Sequence, residues 1–385
     1  VSGVLQDGAK GWIPEINLLR GFAIIAVIII HVTVNFMWIG SLTPLSYTNL
    51  VIDAFAHFAV PLFIIISGVV LARNHWAGTK WLKFYQGRFV LILVPYAIFS
   101  IVYLIYSYAT AGSSITVLGA VEALVCGTAA YHLWFVPLIV ELYLLYPLFT
   151  KAYVAFESRG RIAQLLLACF AAQVIFSVAF NIMPTGGLAM QMLTNSFLGY
   201  IFYFVLGMYV GRNFGSVMRR VNGLSTFSVS LVAIVSGLVA STYIVRGDYN
   251  IPSEMPLIIS SLIWQLAVPV LTVCATILLY RLSAMLLARA SRVGSFVDDL
   301  GTYSFGIYLV HLLFLNVLMT VMDGALGITY SDAVFYPLLF LLTVAASLIF
   351  VRLVVKLPHG NMVVGLKPRK PGVPKSPIPS NVIHR

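Results

Sequence analysis

Two ionisable residues stand inside an apolar run: in NLLRGFAIIAVIIIHV, residues 17–32, Arg20 comes near the start and His31 near the end. An ionisable group costs about 2.5 to 3.5 kcal/mol to place in hydrocarbon, so such residues are read first as functional. On a helix, the eleven-residue spacing is three turns plus roughly 20°, which puts both side chains on one face, ~16 Å apart along the axis. Both can then face one cavity, and a ligand touching both must be long. His31 offers the side chain best suited to proton exchange near neutral pH, as general base or as nucleophile. Structural readings compete: Arg20 as an anchor snorkelling to the interface, and His31 as a neutral imidazole bonded to a neighbouring helix.

Further polar groups lie in apolar surroundings. Asp53 and His57 are spaced i, i+4 and share a helix face. His132 and Glu141 fall on one later segment, and Gln265 and His311 on two others. Each could also serve only to cross-link helices. GMYVG at 207–211 has the spacing of a helix-packing motif. The chain has no GxSxG, P-loop or HExxH pattern, so acid-base chemistry inside the membrane is what remains. Cys126, Cys169 and Cys274 have no paired spacing and read as small buried hydrophobes; no metal is expected.

The elements that must position these groups are membrane helices. Of the 385 residues, 61% are hydrophobic and 9% charged, against about 25% charged in a soluble protein. With about 20 apolar residues per crossing, ten spans fit, near 16–38, 49–72, 89–110, 132–150, 162–182, 196–211, 223–245, 256–280, 301–321 and 333–355. The weaker stretch 113–130 reads as re-entrant or interfacial. The fold class is all-α, a polytopic bundle, with a membrane domain over 1–358 and a basic, proline-rich tail over 359–385. The net charge of +11 does not imply nucleic acid, because the basic residues sit between the apolar runs. With the N-terminus inside, every one of the 23 lysines and arginines except Arg246 falls on the cytoplasmic side, which predicts both termini cytoplasmic. The first run lacks a cleavage pattern and is expected to be retained; the tail is expected near anionic membrane lipid.

LLRGFAIIAVIIIH resembles the arginine, ten residues, histidine signature on the first helix of the membrane acyltransferase-3 family. HFAVPLFIIISG at 57–68, YHLWFVPLIVELYLLYP at 131–147 and LGTYSFGIYLVH at 300–311 resemble three further blocks of it. The resemblance implies a multi-pass enzyme of the bacterial plasma membrane that moves an acyl group, usually acetyl, from cytoplasmic acyl-CoA. The acceptor would be a hydroxyl of an envelope polysaccharide or lipid-linked sugar, met together with other glycan-assembly proteins. It makes His31 the catalytic histidine and Arg20 its partner. The family's loop with two arginines three apart and then a proline is matched by GRFVLILVP, which keeps Arg88 and Pro95 but has Leu91 at the second arginine. Recognition of the CoA phosphates is therefore expected from Arg88, Lys83 and Lys80. Asp53, His57, His132, Trp134 and Glu141 are expected around the acceptor, with Trp134 and Tyr143 as stacking surfaces. No extracytoplasmic SGNH-type domain is expected. The competing class is a transporter or flippase of a glycan intermediate, in which intramembrane His and Asp would relay protons; no paired halves with broken helices support it.

Overall fold

A computed structural model describes residues 13–35, 43–76, 81–112, 116–181, 193, 196–248 and 256–367. All regular structure in these residues is helical. Helix α1 spans Pro14–Thr33, α2 Pro44–Ala56, α3 Ala59–Asn74, α4 Trp81–Ala111, α5 Val117–Cys126, α6 Phe135–Glu157 and α7 Ile162–Asn181. A 3₁₀ turn at Phe197–Gly199 leads into α8 (Ile201–Arg212), followed by α9 (Phe214–Gly223), α10 (Thr226–Asp248), α11 (Leu257–Ala288), α12 (Arg292–Leu326), α13 (Phe335–Val354) and the single turn α14 (Gly360–Val363). Among the described residues nine helices are long and apolar enough to cross a membrane, α2 and α3 counting as one. The protein is an all-α polytopic membrane bundle.

Local chemistry sets several boundaries. Proline occupies the first position of α1 and of α2, where its missing N–H costs nothing. Thr43 caps α2 through a reciprocal pair: Ser46 N donates to Thr43 Oγ1 at 3.1 Å, and Thr43 N donates to Ser46 Oγ at 2.7 Å. Ser291 Oγ caps α12 by accepting from Gly294 N at 2.9 Å, so that helix begins nine residues before the expected 301. The segment expected as a span at 196–211 is the 3₁₀ turn plus the 12-residue α8. The stretch 113–130 holds the 10-residue α5.

Helix α1 is the axle of the bundle. It is mostly apolar and packs on α2, α3, α11, α12 and α13, so that most of its length is buried. Its closest approach is to α12, where a Cβ on Gly301 would overlap the Asn17 carbonyl and one on Gly21 would overlap that of Val297. Asn17 Nδ2 fastens this crossing, 2.8 Å from both the backbone oxygen and Oδ1 of Asp298 and 3.0 Å from Thr302 Oγ1. A second close seam joins α3 to α8, with Gly68 against Gly207 and Gly211 against Val69. The 207–211 motif is thus a packing surface, where small residues let backbones approach.

Candidate active site

His31, near the end of α1, faces two other imidazoles. Its ring centroid lies 5.1 Å from that of His311 on α12 and 6.1 Å from that of His132, and those two are 5.0 Å apart. Tyr131 closes on His31 from the side, also at 5.1 Å. His132 and Trp134 lie in the turns just before α6, not within it, because the chain between α5 and α6 turns over residues 127–134. Tyr308 Oη donates to the His132 carbonyl and Tyr103 Oη to that of Leu309 at 2.9 Å, which ties this turn and α4 to α12.

The histidines differ in what their nitrogens can do. His311 Nδ1 is 2.7 Å from the Tyr308 carbonyl and 3.2 Å from that of Ile307. Carbonyls only accept, so Nδ1 carries the proton and Nε2 keeps a lone pair. That Nε2, and both ring nitrogens of His132, are buried with no hydrogen-bond partner among the described residues. A buried polar atom without a partner is costly and calls for a reason. Here the unspent nitrogens belong to the two rings beside His31, which opens onto a cavity.

That cavity, of about 420 Å³, is lined by His31, His57, His132, Trp134, Tyr200 and Trp264, with Gln173 and Gln265. Trp134 stacks on Tyr200 at 5.7 Å, and His57 meets the Trp264 ring edge-on at 4.8 Å. Asp53 is buried behind this wall. Its Oδ1 accepts from Thr33 Oγ1 at 3.0 Å and its Oδ2 lies 3.4 Å from His57 Nδ1, so it holds α1 and His57 in place. Glu141 Oε2 accepts from Phe197 N at 2.9 Å and joins α6 to the 3₁₀ turn. Neither carboxylate lines the cavity.

Arg20 opens onto a second cavity, of about 310 Å³, with Arg88, Lys367, Tyr143, Ser67 and Thr302 around it. Arg88 lies over the rings of Phe84 and Tyr143, at 5.9 and 6.0 Å. Among the described residues no carboxylate pairs with Arg20, Arg88 or Lys367, whereas Asp53 pairs with His57, Glu157 with Arg212 and Asp299 with Arg352. Leu91 lines this cavity too. Lys83 is exposed at the start of α4 and does not line it, and Lys80 lies outside the described residues.

Arg20 and His31 therefore share a helix face but not a cavity. Phe135 and Tyr308 line both cavities, their rings 5.6 Å apart, and fill the space between. The structure gathers His31, His57, His132 and Trp134 around one chamber and Arg20 with Arg88 around the other. Tyr143, expected as an acceptor stacking surface, lies on the basic side. Sequence reasoning missed Lys367, Trp264, Tyr200 and Tyr308. Trp264 adjoins the polar Gln265, and Tyr308 precedes His311 by one helical turn, which are the signals that point to them.

The family model described as an acyltransferase domain, acyltransferase-3, matches residues 13–352. A protein of Bacillus subtilis (strain 168) named "Putative membrane-bound acyltransferase YfiQ" is 24% identical over 314 residues, which cover 79% of this chain and 82% of that one. No solved structure gives a significant match. With the match spanning α1 to α13, the chain belongs to the membrane acyltransferase-3 family.

Proposed function

We propose that the protein takes an acyl group, most simply acetyl, from acyl-CoA bound in the basic cavity and transfers it to a sugar hydroxyl held in the aromatic one. One observation carries this reading: a cavity with unpaired cations and a cavity with an open histidine abut at Phe135 and Tyr308. Arg20 and Arg88 suit the phosphates of CoA, since guanidinium groups bind such anions through charge-assisted, often paired hydrogen bonds. The aromatic faces of Trp134, Tyr200 and Trp264 suit a sugar ring, and the two glutamines suit its hydroxyls.

His31, as a neutral imidazole, takes the proton of the acceptor hydroxyl while that oxygen attacks the thioester carbonyl. The C–S bond breaks, and the imidazolium returns the proton to the departing CoA thiolate. In the alternative course a His31 ring nitrogen attacks the thioester carbon and CoA thiolate departs; the acceptor oxygen then displaces the imidazole from the acyl carbon, and its proton goes to the thiolate. In both, His311 and His132 keep the His31 ring positioned within a shell of imidazoles. Donor and acceptor enter from opposite ends, so acyl groups cross the membrane while CoA does not. On this reading the basic end, with the start of α1, faces the cytoplasm of a bacterium and the aromatic chamber faces the envelope. The acceptor is a polysaccharide or lipid-linked sugar.

The test is release of free CoA thiol from acetyl-CoA by the purified protein, with and without an extract of envelope glycans. Release that requires the glycan supports the reading. A transporter leaves acetyl-CoA intact under both conditions.

A further inference from the structure

The chain does not leave the bundle at the end of α13. Helix α14 packs on α4 and α13, Val364 is fully buried, and Leu366 N donates to the Asn361 carbonyl at 2.7 Å. Gly360 lies so close to the Val354 carbonyl that no side chain fits there. Gly365 has φ +69°, in the left-handed region, and a Cβ on it would come 2.6 Å from the Leu91 carbonyl oxygen. These contacts tie residues 360–367, which the sequence reading assigns to the tail, to the bundle as a strap across α4 and α12. The strap brings Gly365, Leu366 and Lys367 into the lining of the basic cavity, Lys367 exposed at its mouth.

Three cations from distant parts of the chain thus converge on one cavity, and no carboxylate lines it among the described residues. Like charges gathered beside a low-dielectric interior repel one another. A ligand with several negative charges reverses the sign of that interaction, and clefts of one sign concentrate such ligands. Surface lysines elsewhere need no such account: Lys356, on the same stretch of chain, is exposed and lines no part of the cavity. Partial desolvation at the cavity mouth, and after it the nearby Arg88 guanidinium, hold the Lys367 ammonium below its usual pKa.

We propose that the strap is part of the donor site, with Lys367 joining Arg20 and Arg88 in a three-cation clamp on a pyrophosphate-type group. This rests on the reading of the basic cavity as the acyl-CoA site, where the diphosphate of the coenzyme supplies that group. The strap thereby makes donor binding depend on a segment beyond the last long helix.

The experiment is calorimetric titration of CoA into the full-length protein in nonionic detergent without anionic lipid. Wild type is compared with K367M, K367R and K356M, and the thermal stability of each is measured without ligand. Loss of one charge-assisted bond predicts about tenfold or more weaker binding by K367M. K367R is expected within about threefold of wild type and K356M unchanged, with all four equally stable. CoA binding by K367M equal to wild type overturns the clamp and leaves the donor reading standing. If wild type binds no CoA, the donor reading fails, and inorganic pyrophosphate decides the clamp. Pyrophosphate binding that is lost in K367M keeps it for another polyphosphate; no pyrophosphate binding by wild type overturns it.

Discussion

Replacing Gly301 by alanine tests whether the α1–α12 contact positions the chemistry. A Cβ at 301 would overlap the Asn17 carbonyl, so α1 and α12 must part or slide. Overpacking of this kind costs about 1–3 kcal/mol. Parting the helices also stretches the Asn17 bonds to Asp298 and Thr302, each worth ~0.6 kcal/mol in a membrane bundle. Alanine returns about 1 kcal/mol through its higher helix propensity. The net expectation is a loss of about 1–3 kcal/mol. Gly324 lies on the same helix with nothing within 4 Å of an added Cβ, so G324A receives only the propensity gain. Because α1 carries both Arg20 and His31, a displacement of ~1 Å is expected to cost G301A about 10²-fold in turnover. Unfolding in mixed micelles of dodecyl sulfate, followed by circular dichroism, measures the first effect and CoA thiol release the second. G301A and G324A of equal stability and equal turnover would refute the reasoning.

Other perturbations address the chamber wall and the histidine shell. F135A removes a ring shared by both cavities, and glycan-independent release of CoA is expected to rise because water gains a path to the thioester; unchanged background release counts against the partition. H311F keeps a ring in the buried site but drops both nitrogens, and is expected to lower turnover by roughly ten- to a hundredfold, less than loss of the base itself, with CoA binding unaltered in the same calorimetric titration. The lowered pKa of Lys367 sets a pH dependence with a definite sign: its charge is present at low pH and lost as pH rises, earlier than for a free lysine. CoA affinity is therefore expected to weaken on the alkaline side in wild type and to stay flat there in K367R; parallel profiles would remove Lys367 from the site.

The sequence makes Arg20, His31 and His311 legible for a physical reason: an ionisable group within hydrocarbon needs a cause, and few residues compete for attention there. The i, i+4 pairing of Asp53 with His57 is equally local, and the structure contains it. What the spacing leaves unread is which space each side chain opens onto. Arg20 and His31 share a face, yet the division between their cavities is made by Phe135 and Tyr308, residues that look like ordinary core. Asp53 and Glu141 read as substrate contacts because they are charged, whereas their oxygens bond to Thr33 and to the Phe197 amide. Lys367 hides for the opposite reason. It stands at the edge of a basic, proline-rich stretch, where one more lysine carries no signal, and its meaning depends on how Gly360 and Gly365 turn the chain back onto α4. Helix α8 is shorter than the apolar run suggests, because hydropathy records composition and not where a 3₁₀ turn gives way to α-helix.

The central claim is that His31 performs the acyl transfer between the two cavities. It is tested most directly by release of CoA thiol from acetyl-CoA in the presence of envelope glycan, comparing wild type with H31A. Glycan-dependent release by wild type and a fall of about 10²- to 10⁴-fold in H31A are expected, while H31A still binds CoA with unchanged affinity. Release by H31A at the wild-type rate would contradict it.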